Sequence, residues 1–334
     1  MKKISLGINK FRNIIDNNYL YIDKTEYIYK LLFESPSSLL LCRPKGFGKS
    51  LMIDIIKEIL SGNKELFKGL WIYDKIKWET YPIIQLDFSF DSSSHDSFLY
   101  GLNKQLNKII KINSLEIEEN YNPHSKFGEI IKELSKRGKV VILTDNYDLP
   151  VFYNLDKPEI ASINAKYIKS FFELTKSYEQ YIHFNLLTGI SKFTLNSIFS
   201  GLNNLLDITN HEKFEGITGF TKEEIKIELN QNLKELAKNL GITYKDLIEK
   251  ITCWYGGYSF GGNKFLIKPL SVMSLIHFGK LDNYITKPQN QVFLNRLMRE
   301  QKVNINIEDY FEVSNEIFRA YDINYSNLNI LSFN

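Results

Sequence analysis

Residues 39–50 read LLLCRPKGFGKS, and Gly46, Phe47, Gly48, Lys49 and Ser50 at its end include the residue types a phosphate cradle needs. Such a cradle consists of backbone N–H groups converging on the anion, a helix N-terminus behind them, a lysine for the outer phosphates and a hydroxyl for Mg²⁺. Gly46 and Gly48 allow close backbone approach, Lys49 supplies the charge and Ser50 the hydroxyl. The common pattern G-x-x-x-x-G-K-[ST] has its first glycine where this chain has Arg43. Arginine does not take the backbone conformations open to glycine, so the loop entry is expected to differ from the common form. The residues assigned to the cradle are Arg43, Pro44, Lys45, Gly46, Phe47, Gly48, Lys49, Ser50 and Leu51.

Two further stretches carry candidate chemistry. In VVILTDNYD, residues 140–148, an apolar run ends in Asp145, whose carboxylate is expected to hold Mg²⁺ through water, opposite the Ser50 hydroxyl. The next position, Asn146, is an amide, which orients water but cannot take its proton. Asp148 is the nearby carboxylate that would substitute as base. In Leu187-Thr188-Gly189, at the end of another apolar run, Thr188 is a candidate contact to a terminal phosphate or to attacking water, with Lys192 a second candidate.

These residues need strands that end beside one another and a helix that starts at the loop. Short apolar runs alternate with helical periodicity, the pattern of a parallel sheet covered on both faces. Strands are predicted at 38–42, 82–88, 140–145 and 181–187, the last ending at Thr188-Gly189. Helices are predicted over 51–60 with a stop at Ser61-Gly62, over 95–112, 126–136 and 163–178. From Phe220 the pattern is helical. Thr221-Lys-Glu-Glu224 is a capping box, and Thr243 starts a helix that ends at Gly256-Gly257.

Composition narrows the function classes. A chain of 334 residues, 43% hydrophobic and 24% charged, has ample core material and length for about two domains. A net charge of +3, scattered along the chain, does not announce nucleic acid or an anionic membrane. Cys42 and Cys253 stand apart without companions at metal spacing and read as buried small hydrophobes; Trp71, Trp78 and Trp254 read as core or lid packing. There is no signal-peptide core at the start and no run near the roughly 18 apolar residues of a membrane span, so a cytoplasmic protein is expected. Ser92–Ser94 with His95 and Asp96 reads as a polar loop before a helix rather than a triad, whose members are assembled in space.

Taken in order, Tyr21-Ile-Asp-Lys-Thr25, Arg43-Pro-Lys-Gly-Phe-Gly-Lys-Ser50, Ile142-Leu-Thr-Asp-Asn-Tyr-Asp-Leu-Pro150, Leu187-Thr-Gly-Ile190, Ile198-Phe-Ser-Gly-Leu-Asn-Asn204, Gly219-Phe-Thr221 and Trp254-Tyr-Gly-Gly-Tyr258 resemble the ordered motifs of the bacterial AAA-ATPase-like family. The loop of that family is typically R-P-[RK]-R-F-G-K-[ST], so Arg43 is a family feature. The resemblance implies a three-layer α/β P-loop NTPase with a parallel sheet, related to AAA+ and STAND ATPases, followed by a small helical lid, with ATP and Mg²⁺ as cofactors. It also implies that Tyr21–Thr25 pack near the adenine. The expected organisation is an N-terminal segment (1–36), an ATPase core (37–212), a helical lid (213–285) and an extension (286–334) that is short relative to the family.

The chain departs from the family at four places. It has Thr144-Asp-Asn-Tyr-Asp148 where the family has I-D-E-Y-D, so the catalytic glutamate is replaced by Asn146. It has Lys45-Gly46 for the usual basic pair, and Ile267-Lys-Pro-Leu-Ser271 for Y-N-P-W-S. The nuclease-like PD-(D/E)XK domain of many relatives is expected to be incomplete here, and Asp282 with Glu300-Gln301-Lys302 matches its skeleton poorly because 291–302 has helical periodicity. Three functions are compatible with these residues: a slow Mg²⁺-dependent ATPase acting as a nucleotide-controlled switch, a non-hydrolysing ATP-stabilised interaction module, and a nuclease-associated subunit. The partners implied are the nucleotide and an unidentified protein, with no membrane; nucleic acid enters only through the family association.

Overall fold

The computed structural model describes residues 3–118, 121–190 and 204–284. Helices α1 (Phe11–Asp16) and α2 (Thr25–Phe33) come first. Strand β1 (Ser38–Cys42) then leads through the glycine-rich loop into α3 (Lys49–Leu60), which stops at Ser61 as expected. The alternation continues with β2 (Ile83–Asp87), α4 (His95–Asn113), α5 (Pro123–Ser135), β3 (Val140–Asp145), α6 (Leu149–Phe152), α7 (Pro158–Ser177) and β4 (Ile182–Gly189). The remainder comprises β5 (Leu206–Asp207), β6 (Phe220–Thr221), α8 (Lys222–Glu228), α9 (Asn230–Asn239), α10 (Tyr244–Tyr255), β7 (Leu266–Ile267) and α11 (Pro269–Phe278). Among the described residues no helix is long and apolar enough to cross a membrane.

The main sheet has the order β2-β3-β4-β1-β5, and the pairs β1/β4, β3/β4 and β2/β3 are parallel. This is the mixed α/β fold with a parallel sheet that the sequence predicts. Every residue of β1 and β3 is buried, which is why both read as unbroken apolar runs; β2, at the sheet edge, alternates instead. Local signals set the helix starts. Ser94 closes a capping box on α4, Asn122 caps α5, Thr221 and Glu224 form the expected box on α8, and Thr243 caps α10. Helix α7 begins five residues before the predicted 163, because Pro158 stands at its first turn with φ already set for a helix. β4 runs on through Thr188 and Gly189, which pair with Leu41 and Cys42.

The chain folds as two compact units. One draws on the described residues of Met1–Pro36, Lys45–Thr80 and Asp207–Thr286; the other on those of Ser37–Pro44 and Tyr81–Leu206. The sheet unit is filled by apolar residues of β1–β4 and of α4, α5 and α7, with Phe127 and Phe171 stacked at 4.3 Å. In the other unit Leu20 and Ile22 of the N-terminal segment share a core with Ile225, Leu233, Leu247, Ile251, Val272 and Leu275. Ion pairs Lys24–Glu224 (2.6 Å) and Lys213–Glu34 (2.8 Å) join the same two stretches.

Candidate functional site

Arg43 enters the loop as an extension of β1. Its N–H donates to the carbonyl of Gly189 (3.1 Å) and its guanidinium to the carbonyl of Cys42 (2.9 Å), and the side chain is buried. Among the described non-glycine residues only Asn18, Ser114 and Asn146 have positive φ, so Arg43 needs no glycine-like backbone. The left-handed turns fall instead on Gly46 (φ 80°) and Gly48 (φ 91°).

Gly46 is held from the C-terminal helical stretch. Its carbonyl accepts from the N–H of Leu270 (3.2 Å), and a Cβ there would lie 2.8 Å from Cε of Lys268. Phe47 is buried, its carbonyl accepts from the N–H of Gly219 (3.2 Å), and its ring meets Tyr258 and Phe260 edge-on at 4.7 and 5.7 Å. Gly48 is exposed, with open space where a side chain would stand, and α3 follows with no side chain capping its first turn. Its leading N–H groups are therefore available to an anion, with the positive end of the helix dipole behind them. Lys49 is buried and Ser50 half-buried on the first turn.

The loop borders a cavity of about 180 Å³ in the same unit. Its walls are largely apolar, among them Ile8, Leu51, Met52 and Met273, with Tyr21 and Lys24 from the predicted N-terminal box. Thr218 also lines it, and the buried Thr218 hydroxyl has no hydrogen-bond partner among the described residues. Burial pushes the Tyr21 hydroxyl well above its usual range, with Asp23 adding to the effect. Lys24 is pulled down by burial and partly restored by Glu224.

Lys268 was not singled out as a site residue by sequence reasoning. It is 5% exposed, and among the described residues its ammonium has neither a hydrogen bond nor an ion pair. Burial alone lowers its pKa. A largely buried lysine without a counter-charge, next to a phosphate-type loop, keeps only part of its hydration, so an anion beside it is favoured.

The strand ends of the sheet unit form a second constellation. Asp145, at the end of β3, is buried, and its Oδ1 accepts from the Thr188 hydroxyl at 2.7 Å. These two predicted residues are thus brought together. Asp148 is fully buried and its Oδ2 accepts from the N–H of Ile190 (2.7 Å), which ties it to the exit of β4. Asn146 has φ 58°, and its Nδ2 donates to Oδ1 of Asp87 at 3.0 Å. Asp87 is the register partner of Asp145, and no sequence signal marked it.

Other expectations fall differently. Cys42 is buried but Cys253 is exposed, and Trp71 and Trp254 are 39% and 53% exposed rather than core. Cys253 and Trp254 lie off the face of α10 that buries Leu247, Ile248, Ile251 and Tyr255, so the helical periodicity accounts for both. Trp78 is half-buried against Phe67 at 5.1 Å. His95 bonds Asn164 (3.0 Å), and Ser94 serves the helix cap. Asp282 accepts from Lys280 (3.1 Å); Glu300 and Lys302, like Lys192 and 198–203, lie outside the described residues. No cluster of three metal-ligating side chains occurs among the described residues.

A parallel sheet whose first strand runs through a glycine-rich loop into an uncapped helix, with an aspartate ending β3, the strand beyond β4, defines a P-loop-like α/β protein. A profile of the AAA-ATPase-like family, described as a predicted AAA-ATPase, matches residues 5–199, more than half of the chain, and the chain belongs to that family. An "uncharacterized protein in vnfD 5' region" of Azotobacter chroococcum mcd 1 is 28% identical over 332 residues; the match covers 96% of this chain and 61% of that protein. The chain therefore spans about three fifths of its relative's length. Family membership supports nucleotide binding, for which Mg²⁺ is the usual companion ion.

Proposed function

We propose that the protein binds ATP with Mg²⁺ and acts as a nucleotide-controlled switch with slow hydrolysis. The observation that carries this reading is the loop itself: Gly46 and Gly48 take left-handed turns immediately before the uncapped start of α3, beside an apolar cavity with one unpartnered buried hydroxyl. The apolar walls suit the faces of a purine, and Thr218 supplies one directional contact. Lys49 is assigned to the outer phosphates and Ser50 to Mg²⁺, and within the sheet unit Thr188 is assigned to orienting Asp145. When bound, the metal neutralises charge developing on the phosphates. Lys268 is assigned as a second cation for the phosphates.

A switch is favoured because the loop is not an isolated feature. Its backbone is bonded to Leu270 and Gly219, and Phe47 is lodged between Tyr258 and Phe260, so a change at the phosphates is felt in the C-terminal helical stretch. Asn146 favours a second reading, a non-hydrolysing module stabilised by ATP, since an amide accepts no proton. Thermal unfolding with Mg²⁺ and each nucleoside triphosphate, run alongside phosphate release, separates the two. A rise in Tm with release marks the hydrolysing switch, a rise without release marks the second reading, and no rise at millimolar concentration rejects both.

A further inference from the structure

The phosphate loop and the cavity beside it share one compact unit with the N-terminal segment, and a short strap of that segment, residues 5–9, forms part of the cavity wall. The strap is stapled at both ends. Upstream, the Lys3 carbonyl accepts from the Leu20 N–H (2.8 Å) and the Ser5 hydroxyl donates to the Leu20 carbonyl (3.1 Å). Downstream, Oδ1 of Asp54 accepts from the Lys10 ammonium (2.7 Å) and Oδ2 from the Phe11 N–H (2.8 Å). Between the staples the chain turns once, through the bond from the Ile8 N–H to the Ser5 carbonyl (3.2 Å). The N–H groups of Leu6, Gly7 and Asn9 donate to nothing among the described residues.

Asp54 joins the strap to the loop. It lies on α3, the helix that starts at the phosphate loop, and its neighbours Met52 and Ile55 line the cavity. Its carboxylate is buried, and a charge so placed is costly without partners. Both of its oxygens are engaged by the two residues that follow the strap. One helix thus carries the phosphate cradle at its first turn and the anchor of the strap at its second. Leu6 and Ile8 add apolar wall to the cavity, while the open N–H groups and carbonyls of the strap offer donors and acceptors side by side. Adenine presents the complementary pair, an amino donor at N6 next to an acceptor ring nitrogen. Apolar walls with a few directional groups are how a small-molecule site fixes a flat ring.

We propose that residues 5–9 read the edge of an adenine base through their backbone and that Asp54 is the positioning residue that holds them over it, a role that rests on the nucleotide reading. Asp54 acts only through Lys10 and Phe11. Its removal loosens the base end of the site and leaves the phosphate end intact.

The test is amide hydrogen exchange of the full chain, wild type and variants, measured at 5–9 and at 45–51 without ligand, with saturating Mg²⁺-ATP, and with Mg²⁺ and inorganic tripolyphosphate. In wild type, ATP should slow exchange at both stretches, and tripolyphosphate, which lacks the base, should leave 5–9 unprotected. In Asp54→Ala, ATP should still protect 45–51 while protection of 5–9 is lost, and ATP affinity should fall about tenfold. Asp54→Asn keeps an oxygen for the Phe11 N–H and should retain protection of 5–9. Helix α1 stays docked in these variants through Phe11 on Phe67 (4.9 Å) and Arg12 on Glu58 (3.2 Å). Should Asp54→Ala nonetheless fail to fold, Lys10→Ala removes one anchor from an exposed side chain and should weaken protection of 5–9 alone. Protection of 45–51 without 5–9 in wild type overturns the proposal, as does protection of 5–9 by tripolyphosphate. So does Asp54→Ala in which 5–9 stays protected or both stretches weaken together, Asp54→Asn that loses as much as Asp54→Ala, or Lys10→Ala that leaves 5–9 as in wild type. Protection of neither stretch by ATP in wild type removes the nucleotide reading itself.

Discussion

Replacing Lys268 by methionine should make the nucleotide-free protein more stable and its nucleotide complex weaker. Lys268 is 5% exposed and its ammonium faces no counter-charge or acceptor among the described residues. An unmatched buried polar group costs about 1–3 kcal/mol, and more when charged. Burial lowers the lysine pKa from its ordinary 10.5, which relieves part of that cost by deprotonation. Methionine keeps the length and removes the charge, so a gain of about 1–2 kcal/mol is expected, or roughly 2–8 °C in Tm for units of this size. Because the folded pKa lies below the unfolded one, the unfolded state holds more protons between the two values. The penalty is complete below the folded pKa and fades as pH rises towards 10.5, so the gap between variant and wild type should narrow on the alkaline side. The same change removes a charged phosphate contact worth about 1.5–3 kcal/mol, a loss of about 10- to 100-fold in ATP affinity. Thermal unfolding without nucleotide and calorimetric titration with Mg²⁺-ATP read the two effects separately. A variant that is less stable than wild type and binds ATP equally well would refute the assignment.

Three further substitutions probe the rest of the architecture. Gly46→Ala forces a Cβ to within 2.8 Å of Lys268 Cε and 3.0 Å of Leu270 Cβ at φ 80°, and should abolish the ATP-induced rise in Tm; an unchanged rise would show that the loop tolerates a side chain there. Glu224→Gln leaves buried Lys24 without its 2.6 Å partner and should cost about 1–3 kcal/mol in denaturant unfolding, less than for a fully buried pair because the Glu224 side chain is 26% exposed. Thr188→Val removes the 2.7 Å bond to Asp145 and should cost about 1–3 kcal/mol; a variant with wild-type stability would mean that the hydroxyl does not hold that carboxylate.

The strand-loop-helix around Lys49, the apolar run ending in Asp145 and the caps at Thr221 and Thr243 were legible because each is written in consecutive residues. What was hidden depends on residues far apart in the chain. Asp87 is one aspartate at the end of an alternating strand, and it gains meaning only through the register that sets it beside Asp145 and through the left-handed backbone of Asn146. Lys268 looked like a plain departure from the family pattern. Its isolation comes from packing against Gly46, more than two hundred positions earlier, and no local periodicity reports it. Phe47 likewise has its partners, Tyr258 and Phe260, at the opposite end of the sequence. The loop glycine missing at Arg43 proved to be a matter of local backbone, since the position continues β1 and the left-handed turns are taken at Gly46 and Gly48.

The most direct test is calorimetric titration of Mg²⁺-ATP into wild-type protein and into Lys49→Ala. A phosphate-binding loop built on Gly46, Gly48 and the start of α3 predicts saturable binding by wild type and its loss, or a weakening of at least about tenfold, in the variant. Absence of binding by wild type at millimolar ATP, or equal affinity in the two proteins, would contradict it.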